Sequence, residues 1–508
     1  MSASDYLSTV KNTHTKLKTN ALNFWEVSAH AFALISPTMT AALIVPLMFS
    51  TAGQAGWLCY AFGTIMLLFV AINLNQFAKR YTSAGSMYEY AVKGLGPKFG
   101  GLAGWSLLFA YMFIGIAGVT GFTHFASLLL TQAGCTGYFS HPWITLFLIC
   151  MVTAWFLAYK DITLSAVLML CMEGVSVFVI TVLAIYALCK TGFVDHAQVA
   201  CFSGMKFHDV MGELGLGVVV AVFSGVGFEC ATAFGEEAKR PLVLIPRAVI
   251  FSLLVTGAFF VFITYTETHA LATNNPTLDQ LTAPLSTLSD NLGVHWMGIV
   301  ISFGAMVSFF ALALSCLNSG SRILFTMGRY GIFPISIGSS HKANLTPHVA
   351  ITSFAVIQFL IPSIFMLLSY AGMWGVLQIG APFDEFNDAG LFGAMGFCGA
   401  YVLVSLAAPC FLTRIGEVKA YHWILSIAAL LLLIVPIVGT VYPAPAYPCN
   451  YFAYIYGAYF VAGIVMVFMR SRSMKEMESI RKVLDETAAV SGSAVEPPPA
   501  ASGAPAMA

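Results

Sequence analysis

Charge is what this 508-residue chain has least of: Asp, Glu, Lys and Arg together make up 9% of it, against about a quarter in a soluble domain. With 58% hydrophobic residues and a mean hydropathy of +0.83, a water-soluble globular enzyme is excluded. Neither sign of charge is in excess, since 23 Lys plus Arg face 23 Asp plus Glu. No basic surplus exists to neutralise a phosphate backbone, and nucleic acid is not an expected partner. Catalytic signatures are missing too. The eleven cysteines show no CxxC or metal-ligand spacing, the histidines do not cluster, and no HExxH, GxSxG or phosphate-loop pattern occurs. The sequence therefore predicts no enzyme, no cofactor and no metal site.

What the chain does have is long uncharged runs. Residues 27 to 78 and 99 to 159 contain no Asp, Glu, Lys or Arg, and each is long enough for two helices of the ~20 residues that cross a bilayer. Further apolar blocks near 162 to 189, 214 to 235, 248 to 266, 293 to 318, 348 to 370, 389 to 412, 420 to 441 and 450 to 469 bring the expected count to twelve. The positive-inside rule supports it. With the N-terminus cytoplasmic, the basic residues gather in alternate loops, leaving Lys190 and Lys206 as the two on the outer side. The expected location is the cytoplasmic membrane, crossed many times, with both termini inside. No early apolar core marks a signal peptide, and the Ala/Ser/Gly/Pro-rich stretch 487 to 508 reads as a disordered tail.

Two features interrupt the helices. Pro37 lies near mid-span in Ser36-Pro37-Thr38-Met39-Thr40, where it removes one backbone hydrogen bond. Span six carries Phe223-Ser224-Gly225-Val226-Gly227-Phe228-Glu229, with two glycines at similar depth. A kink and packing notches explain either alone. Together, as the first helices of two five-span halves running in opposite senses, they mark a midplane binding site in which half-helix ends face charged groups. Two carboxylates also sit inside apolar blocks, Glu173 in span five and Glu229 just after the span-six break. Burying either is expensive, and an ionisable residue at that depth reads as a proton carrier or as a group hydrogen-bonded to a neighbouring helix. Glu26 and Glu89 read as solvated. Tyr111 and Phe228 are candidate gates among many aromatics.

Three segments carry a family resemblance over most of residues 20 to 470. They are Tyr81-Thr82-Ser83-Ala84-Gly85-Ser86-Met87-Tyr88-Glu89-Tyr90, the span-six stretch running into Gly235-Glu236-Glu237-Ala238-Lys239-Arg240-Pro241, and Asn318-Ser319-Gly320-Ser321-Arg322 with Met327-Gly328-Arg329-Tyr330-Gly331. The chain resembles the amino acid-polyamine-organocation (APC) permeases. The resemblance implies an all-α polytopic fold: a 5+5 inverted repeat with broken helices 1 and 6 plus two peripheral helices, working by alternating access. It divides the chain into a cytoplasmic segment 1-25, repeats 26-190 and 191-415, peripheral spans 416-470 and a tail 471-508.

The resemblance also assigns roles. Backbone amides at the span-one break would receive a substrate carboxylate, and span-six carbonyls at Phe223, Ser224 and Gly225 its amine, with Gly227 at the break and Phe228 as the adjoining gate. The family's Gly-Ser-Gly maps by spacing from Pro46 onto Met39-Thr40-Ala41, while the Ser36-Pro37-Thr38 break lies three residues earlier. The carboxylate site would then use Thr38, Met39 and Thr40. Glu173 stands near the point of span five where some proton-coupled members carry a lysine. The expectation is a secondary transporter of amino acids or related amines, coupled to H+ through Glu173 and Glu229. The alternatives are an obligate exchanger, a sodium-coupled symporter using span-one carbonyls and Ser315, a channel, or a membrane sensor.

Overall fold

The structure is a computed structural model, and it describes residues 17–134, 142–160, 162–193, 198, 207–272, 281–370, 382–442 and 449–470. The expected tail and most of the N-terminal segment lie outside them. Among the described residues there is no strand, only an isolated bridge between Leu22 and Ala238. The first crossing is made of α1 (Phe24–Ile35), a short α2 (Pro37–Met39), a π-helical turn (Thr40–Ile44) and α3 (Val45–Ala52). Then follow α4 (Gly56–Ala78), α5 (Met87–Leu95), α6 (Pro97–Gln132), α7 (Pro142–Lys160) and α8 (Ile162–Thr191). The sixth crossing is α9 (Phe207–Gly225) with a 3-10 helix at Phe228–Phe234. After it come α10 (Pro241–Ala272), α11 (Pro284–Asn291), α12 (His295–Arg329), α13 (His348–Tyr370), α14 (Pro382–Arg414), α15 (Ala420–Gly439) and α16 (Phe452–Arg470).

Ten helical stretches of the described residues are long and apolar enough to span a bilayer; the 55-residue stretch Phe24–Ala78 holds two crossings, and α13 adds a shorter apolar helix. A multi-pass membrane protein follows. Its outer faces are apolar, as lipid demands: Phe178, Ile424, Leu431 and Met469 are all well exposed.

The centre is α6, which packs along α12 on one side and α14 on the other. Small residues permit the approach. A Cβ on Gly118 would stand 2.8 Å from the Ala313 nitrogen of α12, and one on Gly396 of α14 would stand 2.7 Å from the Ser106 carbonyl of α6. This rigid trio backs the two broken crossings.

Both breaks are set by single backbone positions. Ser36 ends α1 at φ +47°, an uncommon conformation for a residue with a side chain. Pro37 has no N–H to offer the Ala33 carbonyl, so the α-helical ladder stops there. In span six the chain turns at Gly227, with φ +110°. A Gly227→Ala variant would meet Leu34 at 2.8 Å as well as the strain of that φ. We expect it to melt lower in detergent by the equivalent of about 2 kcal/mol; a melting curve matching wild type would mean the break relaxes without cost.

Candidate functional site

The span-one break is held by a carboxylate from another helix. Glu173, on α8, is buried, and its Oε1 accepts the Thr38 N–H at 3.0 Å. Its Oε2 accepts the hydroxyl of Ser308 on α12 in a short hydrogen bond. Ser308 Oγ stands 3.1 Å from Ser36 Oγ, so Ser36 donates to it in turn. One carboxylate thus ties together three crossings at the point where the first is unwound. With the Thr38 N–H turned to Glu173, the Leu34 carbonyl loses the donor that a continuous helix would give it. The Met39 and Thr40 amides both point to the Ser36 carbonyl, at 2.9 and 3.4 Å. The side-chain hydroxyl of Thr40 has no hydrogen-bond partner among the described residues. Ala41 lies within the π turn, fully buried.

The span-six break has its own carboxylate. Glu229 is fully buried and accepts three donors: the Gly227 N–H at 3.0 Å, the Tyr111 hydroxyl of α6 at 3.2 Å and the Tyr401 hydroxyl of α14 at 2.6 Å. A carboxyl group at the N-terminal end of the 3-10 helix accepts from donors that would otherwise be orphaned. Because the Gly227 N–H turns to Glu229, the Phe223 carbonyl four residues back is left without its helical donor. A freed carbonyl at this depth is an acceptor for a cationic group. Ser224 faces Tyr60 of α4, its Oγ 3.0 Å from the phenol oxygen. Gly225 packs on Leu67, and the Phe223 ring occupies the space beside Gly390. Phe228 stacks on Tyr401 with ring centroids 5.5 Å apart.

The two candidate gates therefore serve one cluster, with Tyr111 bonded to Glu229 and Phe228 stacked on that carboxylate's other partner. Ser315 donates to the His30 carbonyl of α1 at 2.8 Å. Sequence reasoning missed Ser308, Tyr401 and Tyr60, none of which lies in a motif. It also placed Glu89 at a solvated surface, and that reading is corrected. Glu89 is buried, accepting the Tyr330 hydroxyl at 3.0 Å, because α5 tucks beneath the end of α12. Glu26 instead closes a capping box on Asn23 at the start of α1.

The end of the bundle that carries the span-six motif is tied together by a buried ion pair. Glu237 forms a two-pronged ion pair with Arg322 of α12, at 2.6 and 2.9 Å. The guanidinium lies over Phe234, whose ring also stacks on His30 at 3.9 Å. Backbone amides of Ala21 and Leu22 close on the Glu237 carbonyl.

Comparison with known proteins follows the same line. A family model described as amino acid permease matches residues 32–467. The chain is 24% identical over 375 residues to the branched-chain amino acid permease BcaP of Bacillus subtilis, covering 70% of this chain and 73% of that protein. It is 26% identical over 309 residues to the low-affinity putrescine importer PlaP of Escherichia coli, covering 59% and 65%. Cationic amino acid transporter 4 of Mus musculus matches at 24% over 346 residues, covering 65% and 52%. Among solved structures, a mutant of the manganese transporter of Eremococcus coleocola is similar in fold, with a TM-score of 0.53 at 11% identity, covering 91% of this chain and 99% of that one. All are permeases, importers or transporters rather than enzymes, and the fold likeness agrees with the all-α polytopic class expected from sequence.

Proposed function

Because this chain belongs to the amino acid permease family, we propose that it imports amino acids or related amines across the cytoplasmic membrane, by alternating access and in symport with H+. The observation that carries this reading is the hydrogen bond from the Thr38 N–H to Glu173. An ionised Glu173 occupies the amide to which the substrate carboxylate would bind. Substrate and Glu173 then compete for one donor. Protonation changes the outcome, since a carboxylic acid is itself a donor and has less need of two. The Thr38 amide is released to the substrate carboxylate, while Ser36 and Ser308 rearrange about the acid. Proton and substrate thus favour the same state of span one, which is the linkage a symporter requires.

At span six the substrate ammonium meets the freed Phe223 carbonyl. Glu229 holds that geometry through Gly227, Tyr111 and Tyr401, so its role in this reading is to position the break. Phe228 and Tyr111 form the wall beside it. Arg322–Glu237 closes the end taken as cytoplasmic.

Reconstitution of the full chain in liposomes, with a pooled set of labelled amino acids and polyamines, tests the reading. An inward proton gradient is expected to drive accumulation into vesicles that hold no substrate. Uptake that needs unlabelled substrate inside would instead make the protein an obligate exchanger.

A further inference from the structure

One buried carboxylate takes no part in either break. Glu267, on α10, is fully buried, and neither of its carboxyl oxygens has a hydrogen-bond partner among the described residues. Its neighbourhood is unsatisfied as well. The hydroxyl of Thr264, one turn earlier on α10, is buried without a partner. Buried polar atoms are rarely left so. An ionisable group at membrane depth with no protein partner marks a place for a ligand.

Its position is fixed by the register between α4 and α10. A Cβ on Gly257 would touch Thr64, the Phe260 ring lies 5.2 Å from that of Tyr60, and a Cβ on Gly56 would lie 3.3 Å from Thr264. Glu267 continues this stripe, two turns or about 10 Å along the helix from Phe260. Its side chain leans back toward the helix N-terminus, hence toward the level of Tyr60. Tyr60 in turn bonds Ser224 at the span-six break. The stripe of α10 that ends at the unpartnered carboxylate therefore begins beside the span-six break.

Resting on the functional reading above, we propose that Glu267 receives a second ammonium group, the distal amine of an α,ω-diamine or of a basic amino acid. A carboxylate with the Thr264 hydroxyl one turn away is suitable chemistry for that group. One end of such a substrate lies at the Phe223 carbonyl, and the other replaces the donors that Glu267 lacks.

The test is uptake of labelled 1,4-diaminobutane, L-lysine and L-leucine by proteoliposomes of wild type, Glu267→Gln and Glu267→Asp. Wild type is expected to carry diaminobutane or lysine. In Glu267→Gln that uptake falls at least tenfold further than leucine uptake, and Glu267→Asp recovers part of the difference. If Glu267→Gln does not fold, protection of wild type against thermal unfolding by diaminobutane or lysine but not by leucine, weakened without being abolished in Glu267→Asp, gives the same answer, and equal protection of the two proteins overturns the proposal. Wild-type uptake of leucine alone overturns the proposal, as does an equal loss of all substrates in Glu267→Gln. Wild type that carries no amino acid or amine overturns the functional reading itself.

Discussion

Replacing Arg322 by Gln is expected to lower stability by about 3–5 kcal/mol, and Glu237→Gln by a similar amount. The two side chains are each 1% exposed and meet at 2.6 Å. Removing either leaves the other charge buried and unpaired, and the cost of that exceeds the net value of the pair. Arg322 also donates to the Asn318 carbonyl at 2.8 Å and lies over Phe234, while the Glu237 carbonyl holds Ala21 and Leu22. One substitution therefore loosens the N-terminal segment, the 3-10 helix of span six and α12 together. The double variant Arg322→Gln/Glu237→Gln is expected to melt above either single one, because no lone charge remains, and the shortfall of its destabilisation from the sum of the two single effects measures the coupling. Detergent melting curves of the four proteins decide it. Single variants that melt with wild type would mean that water or lipid headgroups reach the pair.

How far these contacts were legible in the sequence depends on what carried them. The crossings were visible because hydropathy and loop charge are local properties, and the breaks because Pro37 and Gly227 act on their own backbone. Glu173 stood out by depth alone. Its partners did not, since Ser308 lies 135 residues away and an apolar stretch with scattered serines gives no sign of which one faces α8. Tyr401 is 172 residues from Glu229 and is one of 20 tyrosines. Glu267 was hidden by a boundary. The apolar block ends at 266, whereas α10 continues to Ala272 and carries the carboxylate inside with it. The same happened at the end of α12, which runs to Arg329 and buries Arg322 rather than leaving it in a loop.

The second large effect is expected at Glu173. A Gln there keeps the shape and is neutral like the protonated acid, so it leaves the Thr38 N–H to the substrate, and its amide can donate to Ser308, so the fold is expected to persist. What it cannot do is change its charge. Span one is then held in a single condition, indifferent to the proton, and substrate binding no longer carries a proton with it. With one H+ per substrate, a pH difference of about one unit supports roughly tenfold accumulation. Exchange of labelled for unlabelled substrate at equal concentrations draws on no gradient and asks only that the carrier reorient with substrate bound.

The decisive measurement is therefore the accumulation ratio of labelled substrate in proteoliposomes under an imposed inward proton gradient, wild type against Glu173→Gln, with equilibrium exchange measured in parallel. The account predicts that wild type concentrates substrate, whereas Glu173→Gln only equilibrates it while still exchanging. A Glu173→Gln protein that concentrates substrate as wild type does would contradict the central claim, and Glu173 would then be a structural tie between α8, α12 and the break in span one.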